Sequence, residues 1–294
     1  MNLLAPFLLS IWTRVIGILP FPATQLVGRL IGKIAWLVRS QAAGVTRTNI
    51  RHCFPALREN DRMTLSRQSL EHTGCLIAET GIVFRWSKTK LDSLLTIVEG
   101  EALVESSLAV HRGVLLLAPH YGNWDVLSLY LGRFGVTALY DPPRIASLEE
   151  PIRQARTRTG SMLLPIDAQG LRGVYQALKK GKMVAILPDQ VPTLSAGTYA
   201  PFFGRPALTM TFAHRLIQSA KPLVVTGVAQ RHSGGFKIRL REVDKEVYAQ
   251  EADVCVAAMN LTIEKIVRED PVQYQWEYKR FKKPPPGASR LYDD

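Results

Sequence analysis

Apolar and polar positions change period several times along the chain, and each change predicts an element. Residues 60–86 carry Leu65, Leu70, Leu76, Ile77 and Phe84 at mixed three- and four-residue spacings, which predicts a helix. Residues 99–111 predict a second helix that ends before Gly113. Val114 to Ala118 is a continuous apolar run, as a strand covered on both faces requires. A turn-rich link over 119–124 leads into a helix over 125–134 that stops at Gly135. Next come a short strand at 163–166, a helix at 171–180 closed by Gly181, and a second buried strand at 183–187. Residues 191–206, rich in Pro, Gly and Ser, read as a long loop. A helix at 209–220 and a third apolar strand at 223–229 come after it. Beyond a turn at Ser233, Gly234 and Gly235, residues 236–243 alternate like a half-buried strand, and 251–269 form a last helix. Strands alternating with helices predict an α/β layer fold with a mainly parallel central sheet flanked by helices. No repeat or long linker interrupts it.

Two further apolar stretches precede this pattern. Leu3 to Leu19 is broken chiefly by Arg14; Leu26 to Val38 carries Arg29 and Lys33; Pro20 and Pro22 lie between them. Arg39, Arg47, Arg51 and Arg58 come next, and no Asp or Glu occurs before Glu59. A cleaved signal peptide fits poorly, because no charged region precedes the apolar run and no small-x-small site ends it. Each run falls short of the roughly 20 residues that a membrane span needs. Apolar segments flanked by Arg and Lys fit an interfacial anchor, and the basic residues favour a cytoplasmic location for the remainder of the chain. Residues 1–38 are therefore expected to be N-terminal membrane anchor segments and 39–294 a cytoplasmic-side domain. Whether the anchor spans the bilayer or lies in it stays open, and a pair of buried core helices is the alternative.

Composition adds limits. The chain has 294 residues, 47% hydrophobic and 21% charged, enough for one sizeable α/β domain with an appendage, and not a disordered protein. The net charge of +12 suits an anionic partner: nucleic acid, anionic lipid or an acidic carrier protein. Cys53, Cys75 and Cys255 are far apart and form no CxxC pair, so free thiols are expected rather than a disulfide framework or zinc site.

Candidate chemistry lies at the strand ends, where open α/β sheets bind ligands. His120 lies just past the strand at 114–118 and Asp189 just past the strand at 183–187, so two polar sites converge if those strands are neighbours. His120 and Asp125 are five residues apart, a spacing that separates them on a continuous helix. Across a strand–turn–helix junction, Gly122 and Asn123 allow the chain to fold Asp125 back toward His120. A carboxylate on one imidazole nitrogen fixes the tautomer and leaves the other nitrogen free to remove a proton from an alcohol. An Asp that merely caps a helix beside an unrelated His is the competing reading.

The stretch APHYGNWDVL resembles the His-x4-Asp/Glu motif of the bacterial lipid A biosynthesis (lauroyl/myristoyl) acyltransferases, a group related to the glycerol-phosphate acyltransferases. ILPDQ at 186–190, PFFGRPALT at 201–209 and QYQWEYKRFKKPP at 273–285 are similar to further family segments in the same order. The resemblance covers nearly the whole chain. It implies a glycerol-phosphate acyltransferase-like fold, an inner-membrane location with the catalytic domain on the cytoplasmic face, and an acyl-carrier-protein thioester as donor. The acceptor implied is a hydroxyl of a lipid A precursor or other glycolipid. One departure is LYDPPR at 139–144, where Asp141 stands directly after the Tyr and Arg144 comes three places later. Phosphatidylinositol-mannoside acyltransferases look similar enough to keep another membrane lipid as an alternative acceptor.

His120 and Asp125 are thus the expected catalytic dyad, and Asn123, Arg144, Arg156, Asp189, Gln190, Phe203 and Gly204 the expected substrate contacts. Plainer roles compete for several. Asp189 suits a turn, Arg153, Arg156 and Arg158 a solvated helix face, and Phe202 and Phe203 a core. Tyr274, Trp276 and Tyr278 suit a core or a membrane belt; Lys279, Arg280, Lys282 and Lys283 suit a solvated face or lipid phosphates. No metal or cofactor is expected. An esterase would need an activated nucleophile, but GxSxG is absent, as are HExxH and any recognisable nucleic-acid motif.

Overall fold

The computed structural model describes residues 4–292. Leu3, the start of the first apolar run, and positions 1–3 and 293–294 at the ends of the two expected segments lie outside the described residues.

The core is a seven-stranded sheet in the order β1-β9-β8-β2-β5-β3-β4. Its strands are β1 (Leu95–Glu99), β2 (Val114–Leu117), β3 (Thr137–Tyr140), β4 (Met162–Pro165), β5 (Met183–Ile186), β8 (Leu223–His232) and β9 (Gly235–Glu242). β2 is central, parallel to β5 on one side and β8 on the other; β8 and β9 form an antiparallel hairpin, and β1 runs parallel to β9. The all-apolar β2 and β5 are buried on both faces, and their alternate residues divide the core. Val114, Leu116, Met183 and Ala185 face one apolar cluster, while Leu115, Leu117, Val184 and Ile186 face another. Helix α7 (Trp124–Leu131) contributes to the first cluster; α9 (Ala168–Lys179), α10 (Phe212–Ala220) and α11 (Ala252–Glu269) contribute to the second.

Several elements exceed the sequence pattern. The expected loop at 191–206 contains β6 (Gly197–Phe202), which pairs antiparallel with β7 (Arg205–Met210), so the helix expected from 209 starts only at Phe212. The two-residue hairpin turn has Phe203 and Gly204 at φ of 50° and 72°, both positive as the favoured tight hairpin turns require, with a Phe where Asn or Gly is the common choice. β1 and β3 also escape the pattern: they are four or five residues long, and β1 is mostly exposed at the sheet edge. The helix expected from 99 becomes α6 (Glu101–Ala109), because Gly100 takes a left-handed turn between it and β1.

The amino-terminal third is helical: α1 (Leu4–Gly17), α2 (Phe21–Leu37), α3 (Gln41–Cys53) and the 27-residue α4 (Glu59–Arg85). α1 and α2 dock on α4 through glycines. A Cβ on Gly74 would lie 2.1 Å from the Gly28 carbonyl oxygen, and one on Gly81 would lie 2.7 Å from the Gly17 nitrogen. Each helix buries its small-residue edge and leaves an apolar face uncovered: Leu4, Phe7, Leu8, Ile11, Val15 and Ile18 on or just after α1, and Leu26, Leu30, Ile34 and Leu37 on α2. Among the described residues no helix is long and apolar enough to cross a membrane.

The close helix contact sets a stability test. Gly74→Ala should cost about 1–3 kcal/mol, because backbone opposes the new methyl. Gly44→Ala in α3, where nothing lies within 4 Å, should be neutral or stabilising by about 0.4–1 kcal/mol. Equal denaturation midpoints for the two variants would refute the packing argument.

Candidate active site

The chain leaves β2 through Ala118 and Pro119 and turns sharply at His120. Gly122 makes the turn possible: its φ is 60°, and a Cβ there would lie 2.1 Å from the Ala229 carbonyl oxygen. Gly122 donates its N–H to the Gln273 carbonyl at 2.9 Å, and Asn123 donates its N–H to that of Ala229 at 2.9 Å. The Asn123 side chain then caps α7, accepting from the Val126 N–H at 2.9 Å, and donates to the buried Glu79 carboxylate at 2.6 Å. Glu79 also holds Arg231 through two hydrogen bonds of 2.7 Å. Asn123 is fully buried, so it shapes the turn and is not placed to contact a substrate.

The carboxylate that meets His120 is Asp189, not Asp125. Asp189 lies just past β5, next to β2, and is 2% exposed. It accepts the His120 backbone N–H at 2.8 Å and faces Nδ1 of the imidazole at 2.8 Å. The buried Tyr274 phenol feels the same carboxylate: burial first, and then the Asp189 charge, push its pKa well above the ordinary value. An ionised carboxylate can only accept, so Nδ1 carries the proton and Nε2 the lone pair. The Gln190 amide nitrogen sits 3.1 Å from Nε2 and donates to it. Burial alone would lower the His120 pKa, but the charge and hydrogen bond of Asp189, helped by Glu277 and Asp125, raise it above its ordinary value. Asp189 is shifted the other way: burial opposes its ionisation, yet the imidazole and its hydrogen bonds hold the carboxyl below the usual range.

Asp125 occupies the first turn of α7, where its charge reaches His120 but its oxygen accepts from Arg156 Nε at 2.7 Å. The expected fold-back is defeated by Asn123, which as helix cap sets the direction of the first turn. Arg156 comes from α8 (Glu149–Thr157), and its guanidinium lies over the rings of Trp124 and Tyr140, 4.7 and 5.8 Å from their centroids.

His120, Trp124, Tyr140, Arg156 and Gln190 meet at a cavity of about 520 Å³ whose remaining wall is largely apolar, including Leu139, Ile166, Leu171, Leu187 and Phe212. A smaller apolar recess between α7 and β3, reached past Trp124 and Leu139, extends it toward Leu127 and Leu163. Arg144 is exposed and does not line the cavity. Phe203 is buried against Phe54, Phe202 and Trp276, under the Arg268 guanidinium, and Gly204 tips the hairpin, so neither reaches His120. Arg280 belongs to no solvated charge run: it is 2% exposed and binds the Leu208 carbonyl and Thr209 hydroxyl at 2.7 and 2.6 Å. The sequence pattern marks Tyr274 only as a core or belt aromatic and gives no sign that it is buried within reach of the Asp189 charge. It misses Arg215 altogether, which reaches the cavity from α10, where no local signal marks it. Among the described residues no cluster of three or more His, Cys, Asp or Glu is placed to hold a metal.

Comparison with known proteins adds a family. The profile described as bacterial lipid A biosynthesis acyltransferase matches residues 2–283. The lipid A biosynthesis palmitoleoyltransferase of Escherichia coli (strain K12) is 27% identical over 278 residues, 93% of this chain and 90% of that protein. The lipid A biosynthesis lauroyltransferase of the same strain is 28% identical over 281 residues, with the same coverage of both chains. A lipid A biosynthesis acyltransferase of Haemophilus influenzae is 26% identical over 298 residues, 97% of this chain and 92% of its own.

The pair at His120 sets a pH dependence. A neutral base is free only above its own pKa, so the acidic limb of the kcat/KM profile should titrate above 6.5, since Asp189 stabilises the imidazolium. Asp189→Asn removes that charge and leaves burial, which pushes the limb to lower pH, and it also lowers the plateau because the tautomer is no longer fixed. An unmoved limb would exclude Asp189 as the partner.

Proposed function

This chain belongs to the bacterial lipid A biosynthesis acyltransferase family and is an acyltransferase, and we propose that it moves a fatty acyl chain from an acyl-carrier-protein thioester to a hydroxyl of a lipid A precursor or related glycolipid. The observation that carries this reading is His120, whose Nε2 opens on a largely apolar cavity while Nδ1 is tied to a buried carboxylate. The acceptor hydroxyl takes the place of the Gln190 amide at Nε2. As its oxygen attacks the thioester carbon, His120 takes the proton, and the carbonyl becomes an oxyanion. Collapse breaks the carbon–sulfur bond, and the imidazolium returns the proton to the departing thiolate. Asp189 orients the imidazole throughout.

Asp125 acts through Arg156. Its oxygen holds Nε, which leaves the guanidinium Nη groups free to face the developing oxyanion from the cavity wall. The apolar lining and its recess suit a hydrocarbon chain. The relatives' names differ in the acyl group, palmitoleoyl and lauroyl, so family membership leaves the chain length open. The uncovered faces of α1 and α2 suit the interface of the inner membrane, where an apolar helix face lies among the headgroups with the rest of the domain on the cytoplasmic side. Carrier proteins with acidic surfaces match the net charge of +12.

Initial rates in one assay test the chemistry and the donor together. His120→Ala should lose about 10²–10⁴-fold in kcat/KM while still folding, with a lowered melting temperature because Asp189 loses its imidazole partner. Acyl-carrier-protein thioester should outpace the same acyl group on coenzyme A, with an advantage that shrinks as salt rises. Near-normal turnover in His120→Ala sinks the base; equal, salt-independent rates sink the carrier-protein donor.

The membrane reading has its own check. Phe7→Glu with Leu8→Glu changes two exposed residues of α1, so the fold should persist while sedimentation with phospholipid vesicles falls sharply. Undiminished sedimentation would remove α1 from the membrane face.

A further inference from the structure

A second cavity lies apart from His120, between the start of α3, the start of α4 and the carboxyl-terminal segment, with a volume of about 700 Å³. Arg39, Arg47, Arg51, Arg62 and Lys279 line it against a single acid, Glu59. Glu59 is already engaged, 2.7 Å from Arg62 and 3.9 Å from Arg51. Among the described residues Arg39, Arg47 and Lys279 have no carboxylate partner; Arg47 rests over Trp36 and Lys279 over Tyr292. The cavity therefore holds a concentrated excess of positive charge, and α3 adds the amide end of a 13-residue helix, capped at Ser40.

Arg39 is a separate clue. It comes after α2 with φ of 51°, the left-handed position where helices ordinarily end in Gly or Asn. An arginine there strains the backbone, and the strain sets a guanidinium at the mouth of the basic cavity. The position also joins two surfaces. Ile34, Leu37 and Val38, just before Arg39, are 51%, 76% and 67% exposed and continue the uncovered apolar face of α2.

We propose that this cavity is a binding site for the phosphorylated headgroup of an anionic membrane lipid, whose acyl chains lie along the α2 face. Apolar tails and a phosphate joined in one molecule match an apolar face that runs directly into a basic hollow. Arginine forks suit phosphate oxygens, and the volume exceeds what a bare phosphate fills. A docking carrier protein would spread over roughly 800 Å² of surface, whereas this charge is gathered inside a hollow of about 700 Å³. The site is separate from the catalytic cavity. Asn49 of α3 ties down the carbonyls of Trp276 and Tyr278 at 2.6 and 2.9 Å, and the Tyr278 hydroxyl on the other side meets the Val191 N–H at 2.9 Å. The carboxyl-terminal segment thus stands between the two cavities. The inference rests on the membrane-facing part of the proposed function and does not depend on His120.

Calorimetric titration of the full chain with dihexanoyl phosphatidylglycerol, below its micelle concentration, tests it. Wild type should bind saturably, and Arg39→Ala with Arg47→Ala should bind about 10- to 30-fold more weakly, the effect of two lost cations. Arg172→Ala with Lys180→Ala removes the same charge on and beside α9, across the sheet, and should bind like wild type. Arg39→Gly guards against misfolding: it relieves the left-handed strain, so it should melt at a higher temperature and still bind more weakly. Undiminished binding in both Arg39 variants overturns the site, as does equal weakening in the α9 control. Equal affinity for dihexanoyl phosphatidylcholine or for inorganic phosphate would overturn the headgroup assignment, and displacement of the lipid by acyl carrier protein would give the cavity to the carrier instead. Binding is read without turnover, so its failure leaves the acyl-transfer reading standing, and a fully active His120→Ala would leave this site standing.

Discussion

A carboxylate taken out of water has to be met by hydrogen-bond donors and positive charge, or it will not stay ionised. Asp189 is buried at the end of β5, and every group that meets it comes from elsewhere in the chain. The backbone and imidazole of His120 come from the turn after β2, and the charge of Arg280 comes from the carboxyl-terminal segment. Satisfying this one group brings the ends of two neighbouring strands and the tail of the chain together. It also sets the tautomer of His120 and turns Nε2 toward the apolar cavity.

A second buried carboxylate does comparable work behind the turn. Glu79, fully buried on α4, binds Arg231 of β8, the Asn123 amide of the turn and the Gln25 amide of α2. Removing one partner of such a pair strands a charge in low dielectric, commonly at about 3–5 kcal/mol. The same carboxylate thereby couples the helix with the uncovered apolar face to the turn that carries His120. The aromatic cluster of Phe202, Phe203, Tyr274, Trp276 and Phe281 completes the enclosure by fastening the hairpin and the carboxyl-terminal segment over that side of the domain.

The amino-terminal helices reconcile two demands. Gly17, Gly28 and Gly32 meet Gly74 and Gly81 of α4 at backbone distance, so α1 and α2 are packed on the domain. Their opposite faces keep large apolar side chains in the open, an arrangement that calls for a further surface to cover it. Continuous apolar runs of this kind look alike in sequence whether lipid or protein covers them, which is why residues 4–37 read as anchor or as core.

Local signals in the sequence determined strands at 114–118, 183–187 and 223–229, long helices at 60–86 and 251–269, the α/β class, and the placing of His120 and Asp189 just past two strand ends, because hydrophobic period and turn chemistry act over a few residues; that the two strands are neighbours was decided by the sheet. The HYGNWD string carried the family in the same local way. The partners of charged groups were beyond that range. Asp125 is five residues from His120 yet pairs with Arg156, while Asp189, 69 residues away, takes the imidazole. The burial of Arg280 depends likewise on partners about seventy residues away in the chain, at Leu208 and Thr209. Which carboxylate meets which cation depends on where neighbouring strands end and which way a capped helix points, and those distances come into existence only when the sheet is assembled.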